Sequence, residues 1–568
     1  MTAPVPATTN SDTEWWRRAV VYQLYVRSFS DANSDGIGDL DGIRSHLPYL
    51  AALGIDAIWL NPCYPSPQID HGYDVADYLD IEPAYGTLAT FDALVAEARS
   101  HHIRIMMDIV PNHCSDQHKW FTDAVAAGRG SKERDWFWFR DGKGTNGDLP
   151  PNNWQAWFGG PAWSQVIEPD GSAGQWYLGL FTPQQPDVNW LNPLVGDAFE
   201  EILRFWFDRG VDGFRVDAVT VLGKAPGLPD APPVPLGTPV EDIAMMNPHV
   251  VCRPEVNDVF TRMRGVVDAY EIEHPDRKLT FVTEAYTPTW DILASYIGPG
   301  QMHQSFHFDL MLASWHAPSV RKALRVAFEE LAPRNLPLTW TLNNHDTQRS
   351  VTRYGRSNAA EKTSITHNNL RNVDATVDAD LGLRRARAMA AFMLALPGSA
   401  YLYYGEEIGL FEVLDIPEDR LQDPMWERTG HRSRGRDGCR VPMPWTDDRA
   451  TNFGFSTLPT LDSWMPQPDS YGPRNAAAQA GVPGSTLAMY TQALALRRSL
   501  TDLASNDTKW VHTDVPELIA YRRGSVGVVL NMSSAPMANP HSGELLLSSS
   551  DGTCELVPAN TTMWVQLS

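Results

Sequence analysis

Short β-branched and aromatic runs alternate along the chain with stretches whose apolar residues recur every three or four positions, the pattern of successive β/α units. The runs fall at 20–29, 57–62, 103–113, 211–219, 279–286, 303–310, 336–346 and 399–409. Helical periodicity stands out at 91–102, 193–210 and 383–396. Eight is the number of strands that closes a parallel barrel, so the predicted fold is an α/β (β/α)8 TIM barrel. The rhythm breaks at 114–187, a stretch rich in Gly, Pro, Asn and aromatic residues and too long for a plain connection. It reads as a small domain B inserted after the third strand. Residues 226–240 form a proline-rich loop on the same side as the other strand ends, and beyond 490–500 short alternating runs with turn residues predict a C-terminal antiparallel β-domain. The expected division is 1–113 for the first part of the barrel, 114–187 for the insertion, 188–500 for the rest of the barrel and 501–568 for the C-terminal domain.

In such a barrel, loops at the C-terminal ends of the strands surround a common mouth. The ends here carry His113, Arg215, Asp217, Glu284, His345 and Asp346. A lone carboxylate would read as a loop cap. Three carboxylates, two histidines and an arginine converging from different strands do not, since burying each charge costs several kcal/mol unless it is paired or used. Asp217 and Glu284 end neighbouring strands, and two carboxyls in a cleft are the minimum apparatus for cleaving a glycosidic bond. One attacks the anomeric carbon while the other donates a proton to the leaving oxygen. Neighbouring strands favour the separation of about 5 to 5.5 Å that belongs to the retaining mechanism. Arg215, two residues before Asp217 and on the same strand face, would keep that carboxylate ionised.

Composition narrows the partners. The chain of 568 residues carries 69 Asp and Glu against 46 Lys and Arg, a formal charge of −23 that repels phosphate backbones and anionic membranes. Nucleic acid is not expected. Cys63, Cys114, Cys252, Cys439 and Cys554 form no CxxC pair, which suggests neither a disulfide framework nor a zinc site and fits a reducing compartment. The opening residues lack a basic and apolar leader, and no 18-residue apolar run occurs, so a cytoplasmic protein is expected. Twenty tryptophans leave room for aromatic faces that stack on sugars, although core packing accounts for most of them.

Four stretches in order, "DIVPNH" (108–113), "GFRVDAV" (213–219), "FVTEAY" (281–286) and "NNHD" (343–346), resemble the signature regions of glycoside hydrolase family 13, the alpha-amylase family. "QPDVNWLNP" (185–193) is similar to the additional signature of its alpha-glucosidase and oligo-1,6-glucosidase branch. The resemblance implies Asp217 as nucleophile, Glu284 as acid/base and Asp346 as transition-state stabiliser, with His113, His345 and Arg215 contacting sugar or nucleophile. "DHGYD" (70–74) resembles the motif that lines the terminal-sugar subsite, here through Asp70 and Tyr73, and "GCRVPMPW" (438–445) the segment whose arginine, here Arg440, pairs with that aspartate. Such a pair would close the pocket behind a non-reducing glucose and favour exo-action. Phe158 and Phe181 match family aromatics near the same pocket. Ala218 stands where oligo-1,6-glucosidases resemble one another in carrying valine, which leans the expectation toward α-1,4 linkages. Thr283 departs from the family pattern, in which glycine often precedes the acid.

The loop "DANSDGIGD" (31–39) places Asp31, Asn33, Asp35 and Asp39 at alternate positions around Gly36, with the Ile37 carbonyl as a further oxygen. That spacing suits calcium, although the closing glutamate of an EF-hand is missing. The resemblance likewise implies a structural calcium there, away from catalysis. The expected activity is a retaining exo-acting alpha-glucosidase on short oligosaccharides. A transglucosylase or sugar isomerase on the same site remains open, as does a non-catalytic sugar-binding or transporter-accessory relative.

Overall fold

The computed structural model describes residues 14–235, 238, 240–359, 376–460 and 462–568. The first thirteen residues, which enter the leader reading, and part of the proline-rich 226–240 stretch lie outside the described residues. Eight parallel strands form one sheet: β1 (Val20–Leu24), β2 (Ala57–Leu60), β3 (Arg104–Ile109), β4 (Gly213–Val216), β5 (Thr280–Thr283), β6 (Gln304–Ser305), β7 (Thr339–Thr341) and β8 (Ser399–Tyr403). Their order is β7-β8-β1-β2-β3-β4-β5-β6, so each strand pairs with its predecessor except β7, which faces β6 across a seam, and the sheet curls nearly closed into a barrel. Side chains bridge the seam. The Thr339 amide donates to His307 Nε2 at 3.1 Å, and Gln304 Nε2 donates to Ser399 Oγ at 2.7 Å.

Alternation along the strands sorts the core. Val21, Ala57, Trp59, Met106, Val282, Phe306 and Tyr401 meet in one cluster inside the barrel. Their neighbours Tyr22, Ile58, Leu60, Ile105, Met107 and Phe214 join the larger cluster formed with the surrounding helices. The helices start where capping chemistry puts them. Asn192 Oδ1 accepts from the Leu194 amide ahead of Pro193–Asp208, and Asp378 Oδ1 accepts from the Leu381 amide ahead of Ala379–Leu394.

The strands are shorter than their apolar runs. The 20–29 run ends as a strand at Leu24 and continues into the helical turn Val26–Phe29, while 303–310 and 336–346 yield only β6 and β7. Most residues beyond these ends are buried in loops, and burial makes a loop read as a strand when only hydrophobicity is counted. Between β3 and β4 the chain forms a separate antiparallel sheet ordered Phe139–Arg140, Ala173–Leu178, Trp163–Ile167. Its tryptophans Trp138, Trp154 and Trp163 pack with Val221, Leu228 and Val250 from the segment after β4 and so serve as core. At the C-terminus an antiparallel sheet of five strands packs on Ala379–Leu394, with Trp564 Nε1 donating to the Ala391 carbonyl at 2.9 Å. None of the five cysteines is in a disulfide, and no described helix is long and apolar enough to cross a membrane.

One buried acid lies just beyond β8. Glu407 accepts hydrogen bonds from Tyr22 and Tyr49 on a single oxygen, at 2.7 and 2.8 Å, and its other oxygen has no partner. Burial pushes its carboxyl up to about 7. A group raised on folding stabilises fully below its unfolded pKa and loses that contribution as pH rises through the folded value. Glu407→Gln is therefore expected to gain stability relative to the unaltered protein between about pH 4.5 and 7, by up to roughly 3 kcal/mol. Melting curves across that range check it; a pH-independent difference would contradict the assignment.

Candidate active site

The C-terminal ends of β3, β4, β5 and β7 converge on a cleft enclosing about 870 Å³, solvent at its mouth included. At its base Arg215, 1% exposed on β4, organises the charges. Its register partner on β3 is Asp108, and Arg215 Nη1 donates to Asp108 Oδ1 at 2.7 Å and to Asp217 Oδ1 at 2.6 Å. Its other terminal nitrogen lies 2.6 Å from Glu284 Oε2. Two carboxyls held by the two ends of one planar guanidinium face a common small space. Burial raises both Asp217 and Glu284 above their ordinary values, against the pull of Arg215. Three carboxyls around one guanidinium cannot all ionise cheaply.

Immediately after Asp217 the chain turns through Ala218 in the left-handed region, at φ 48°. This aims its amide into the cleft, where it donates to Glu284 Oε2 at 3.3 Å.

Tyr73 and His345 floor the opposite side. Their rings stack at 5.3 Å with planes 3° apart, and Tyr73 donates to Asp108 Oδ2 at 3.1 Å. Gln23 Nε2 donates to His345 Nδ1 at 2.8 Å, which leaves the imidazole hydrogen on Nε2, 3.2 Å from Asp346 Oδ2. Burial holds His345 well below its usual range and His113 at about 3, so both rings are neutral. For Asp346, burial alone would raise the carboxyl, but the adjacent His345 and then Arg436, Arg440 and Arg215 outweigh it and hold it low. His113 packs against Phe181, and Phe158 lies beneath the Arg436 guanidinium at 4.7 Å.

The far end of the cleft is closed by an ion pair, but not by the expected arginine. Asp70 Oδ1 accepts from Arg436 Nη2 at 2.7 Å. Arg440 instead lies behind Asp346, donating through Nε to the His345 carbonyl at 2.8 Å and through Nη2 to Asp346 Oδ1 at 3.1 Å. The reason is local. The short turn Asp437–Cys439 separates the two arginines, and Arg436 is fixed toward the cleft by Asp423, whose Oδ2 accepts from its amide at 2.7 Å and its Nε at 2.6 Å. Gly435 permits this approach: at its φ of 66°, a Cβ would lie 2.4 Å from the Asp423 carboxyl carbon.

A sequence model of the alpha-amylase catalytic domain matches residues 23–506. The chain belongs to glycoside hydrolase family 13, the alpha-amylase family. This glycoside hydrolase is 36% identical over 518 residues to a probable alpha-glucosidase of Rhizobium meliloti, covering 88% of this chain and 86% of the relative. Its fold superposes on an alpha-glucosyl transfer enzyme with a TM-score of 0.81 at 32% identity, covering 97% of this chain and 99% of that one. An isomaltulose synthase variant from Erwinia rhapontici in complex with D-glucose gives a TM-score of 0.82 at 29% identity, with 98% and 100% coverage.

The structure thus brings together Asp70, Tyr73, His113, Phe158, Phe181, Arg215, Asp217, Glu284, His345 and Asp346 around one cleft, and places Arg440 one layer behind it. Sequence reading missed Arg436, Asp108, Asp423 and the cleft-lining Trp157. Asp108 was legible as a charge in an apolar strand like Arg215; Trp157 sits among many other aromatics and carried no separate signal.

The acidic loop lies apart from this cleft. Asp31 Oδ1 accepts from the Ser34 and Asp35 amides and Oδ2 from the Gly36 amide and Ser456, while Asp39 accepts from the Ala32, Asn33 and Gly42 amides. Asp35 Oδ1 accepts from the Ile37 amide and its Oδ2 from Asn33 Nδ2. The donors are the hard oxygens calcium prefers. Among the described residues, however, no three His, Cys, Asp or Glu side chains are gathered as a metal site.

Proposed function

We propose that this enzyme is a retaining, exo-acting alpha-glucosidase that removes the non-reducing terminal glucosyl unit from short, α-1,4-linked oligosaccharides. The observation that carries the reading is the shared guanidinium: Asp217 and Glu284 are each 2.6 Å from a different nitrogen of Arg215, which suits the roughly 5 Å separation of the double-displacement mechanism. Asp217 attacks the anomeric carbon, the bond to the leaving oxygen breaks, and Glu284 delivers its proton to that oxygen. Glu284 then takes a proton from the incoming water, which releases glucose from Asp217 with its α configuration restored. Asp346, held ionised by its arginines, grips sugar hydroxyls as positive charge develops at the ring. The Asp70–Arg436 pair supports exo-action because it blocks the cleft beyond one sugar. Maltotetraose is the test: glucose in the α form as the first product is expected, whereas maltose as the first product or initial β-glucose would sink the reading.

Ala218 bears on linkage because its methyl lines the cleft beside Glu284. Ala218→Val is expected to shift the maltose to isomaltose ratio of kcat/KM about tenfold toward isomaltose, within the roughly 1 to 3 kcal/mol that a small apolar change is worth. Initial rates on the two disaccharides check it, and an unchanged ratio removes Ala218 from the account of specificity.

Transfer of glucose to a second sugar is a reading with its own support. The cleft is also lined by Trp157, Phe181, Val221, Met245 and Tyr286, a largely apolar wall, and the two solved relatives are described as an alpha-glucosyl transfer enzyme and an isomaltulose synthase. Product analysis at high maltose and high sucrose separates the outcomes: new disaccharides or trisaccharides as the main products favour transfer, and free glucose favours hydrolysis.

The 31–39 loop is read as a structural calcium site using Asp31, Asn33, Asp35, the Ile37 carbonyl and Asp39. A ligand that binds only the folded form stabilises by about 2.7 kcal/mol at a hundredfold excess over its Kd. Calcium is therefore expected to raise the melting temperature by a few degrees over chelated protein. Equal melting temperatures would count against the site.

A further inference from the structure

Next in the chain to the Asp70–Arg436 pair, and outside the lining of the cleft, the same two segments present a second pair of groups. His71 follows Asp70 and Asp437 follows Arg436, and the two side chains are 2% and 0% exposed. Arg27 Nη1 lies 2.7 Å from His71 Nδ1. A guanidinium can only donate, so Nδ1 accepts and the hydrogen of the neutral ring is on Nε2. Burial and the neighbouring Arg27 keep the ring neutral by holding it well below its usual pKa.

That Nε2 has no hydrogen-bond partner, and neither does Asp437 Oδ1, which faces it at 3.9 Å. The other oxygen of Asp437 is occupied, accepting from the amides of Gln422 and Asp423 at 2.6 and 3.0 Å. Asp423 is the residue that fixes Arg436. His71 itself adopts a left-handed backbone, at φ 50°, uncommon for a residue other than glycine and a form of strain that the surrounding packing must hold. A buried donor and a buried acceptor therefore stand roughly 0.7 Å beyond hydrogen-bond reach, on the two segments that carry the floor of the pocket.

We propose that His71 and Asp437 form a second clip between the 70–74 loop and the 436–440 segment, closing to a hydrogen bond when a terminal glucose fills the pocket and thereby seating Asp70 and Arg436 on the sugar. Neither residue touches substrate; both are positioning residues. The proposal rests on the terminal-glucose reading of the pocket. Closure satisfies two polar atoms that are otherwise orphaned, so part of the favourable energy of sugar binding is made behind the sugar. It also explains a histidine at position 71: the ring spans from Arg27 to Asp437 with one acceptor and one donor, and packs against Trp464 at 5.5 Å with the ring planes inclined by 58°.

The test uses the full-length protein with D-glucose as the probe, measured as a competitive inhibitor of 4-nitrophenyl α-glucoside hydrolysis. His71→Phe is expected to raise the inhibition constant of glucose and KM by about fivefold to tenfold, with kcat within about twofold. His71→Gln, whose amide N–H reaches as far as Nε2, is expected to stay within about twofold of the unaltered protein. Asp437→Asn is expected to raise the same two constants, and the double variant should be no worse than His71→Phe alone, since both lose the bond between residues 71 and 437. Losses that multiply, a His71→Gln as weak as His71→Phe, or reduced kcat and melting temperature with unchanged glucose inhibition would overturn the clip. If His71→Phe does not fold, the Asp437→Asn and His71→Gln comparison decides. An unaltered protein that glucose does not inhibit would overturn the terminal-glucose reading itself, an outcome distinguished by needing no variant.

Discussion

Asp217→Asn is expected to lower kcat on 4-nitrophenyl α-glucoside by at least about 10⁴-fold, the scale of losing a nucleophile that acts as part of a unit. The fold should survive. An asparagine oxygen can still accept from Arg215 Nη1, and the guanidinium keeps Asp108 and Glu284 as partners at 2.7 and 2.6 Å. A negative charge is also removed from a cluster that is short of positive charge, so the melting temperature should hold or rise. The smaller Asp217→Ala variant sharpens the expectation: azide filling the vacated space attacks the side of the sugar opposite the leaving group and gives β-glucosyl azide. The corresponding Glu284→Ala variant should give α-glucosyl azide, because Asp217 still forms the covalent intermediate. If the two variants yielded azides of the opposite configurations, their roles would have to be exchanged.

Arg436→Ala carries the second large effect. Its guanidinium bonds Asp70, Asp346 and Asp423 at 2.7, 3.1 and 2.6 Å, all in nearly buried positions. Removing one partner of a buried ion pair costs about 3 to 5 kcal/mol, since the remaining charge is left without compensation. The variant should therefore lose stability and also fall by about 10³-fold in kcat/KM, the upper range for removing one preorganised electrostatic contact. Arg436→Lys is not expected to restore activity, because one compact ammonium cannot reach three carboxylates in different directions. Arg440→Lys is the informative companion. Arg440 braces the His345 carbonyl and Asp346 but makes no ion pair with Asp70, so its loss should lower kcat through Asp346 with a smaller rise in KM. Equal KM effects at the two arginines would argue that the pocket end is not built as described.

The strand-end chemistry was legible in the sequence because it broke a pattern. Arg215 and Asp217 interrupt an apolar run, and a charge in a buried strand has to be paired or used. Their partner Asp108 breaks the β3 run in the same way, and the parallel register sets it beside Arg215, yet no role was read for it since the register is a property of the folded sheet. The arginine that closes the pocket was not legible. Asp70 and Arg436 are 366 residues apart, and the choice between Arg436 and Arg440 depends on the turn Asp437–Cys439 and on Asp423, neither of which has a periodic signal. The apolar runs exceed the strands for a related reason, since loops such as those after β6 and β7 are mostly buried and carry the composition of strands. The acidic loop shows the converse: the spacing of its oxygens suits calcium, while their arrangement is set by backbone amides that compete for the same lone pairs.

The central claim is that Asp217 forms a covalent bond to glucose while Glu284 manages the proton. It is tested most directly by mass spectrometry of the Glu284→Gln variant incubated with α-glucosyl fluoride, a donor whose leaving group needs little acid assistance and whose intermediate should persist once the general base is gone. The account predicts one added glucosyl unit, on the peptide that contains Asp217. No adduct under turnover conditions, or an adduct on any other residue, would contradict it.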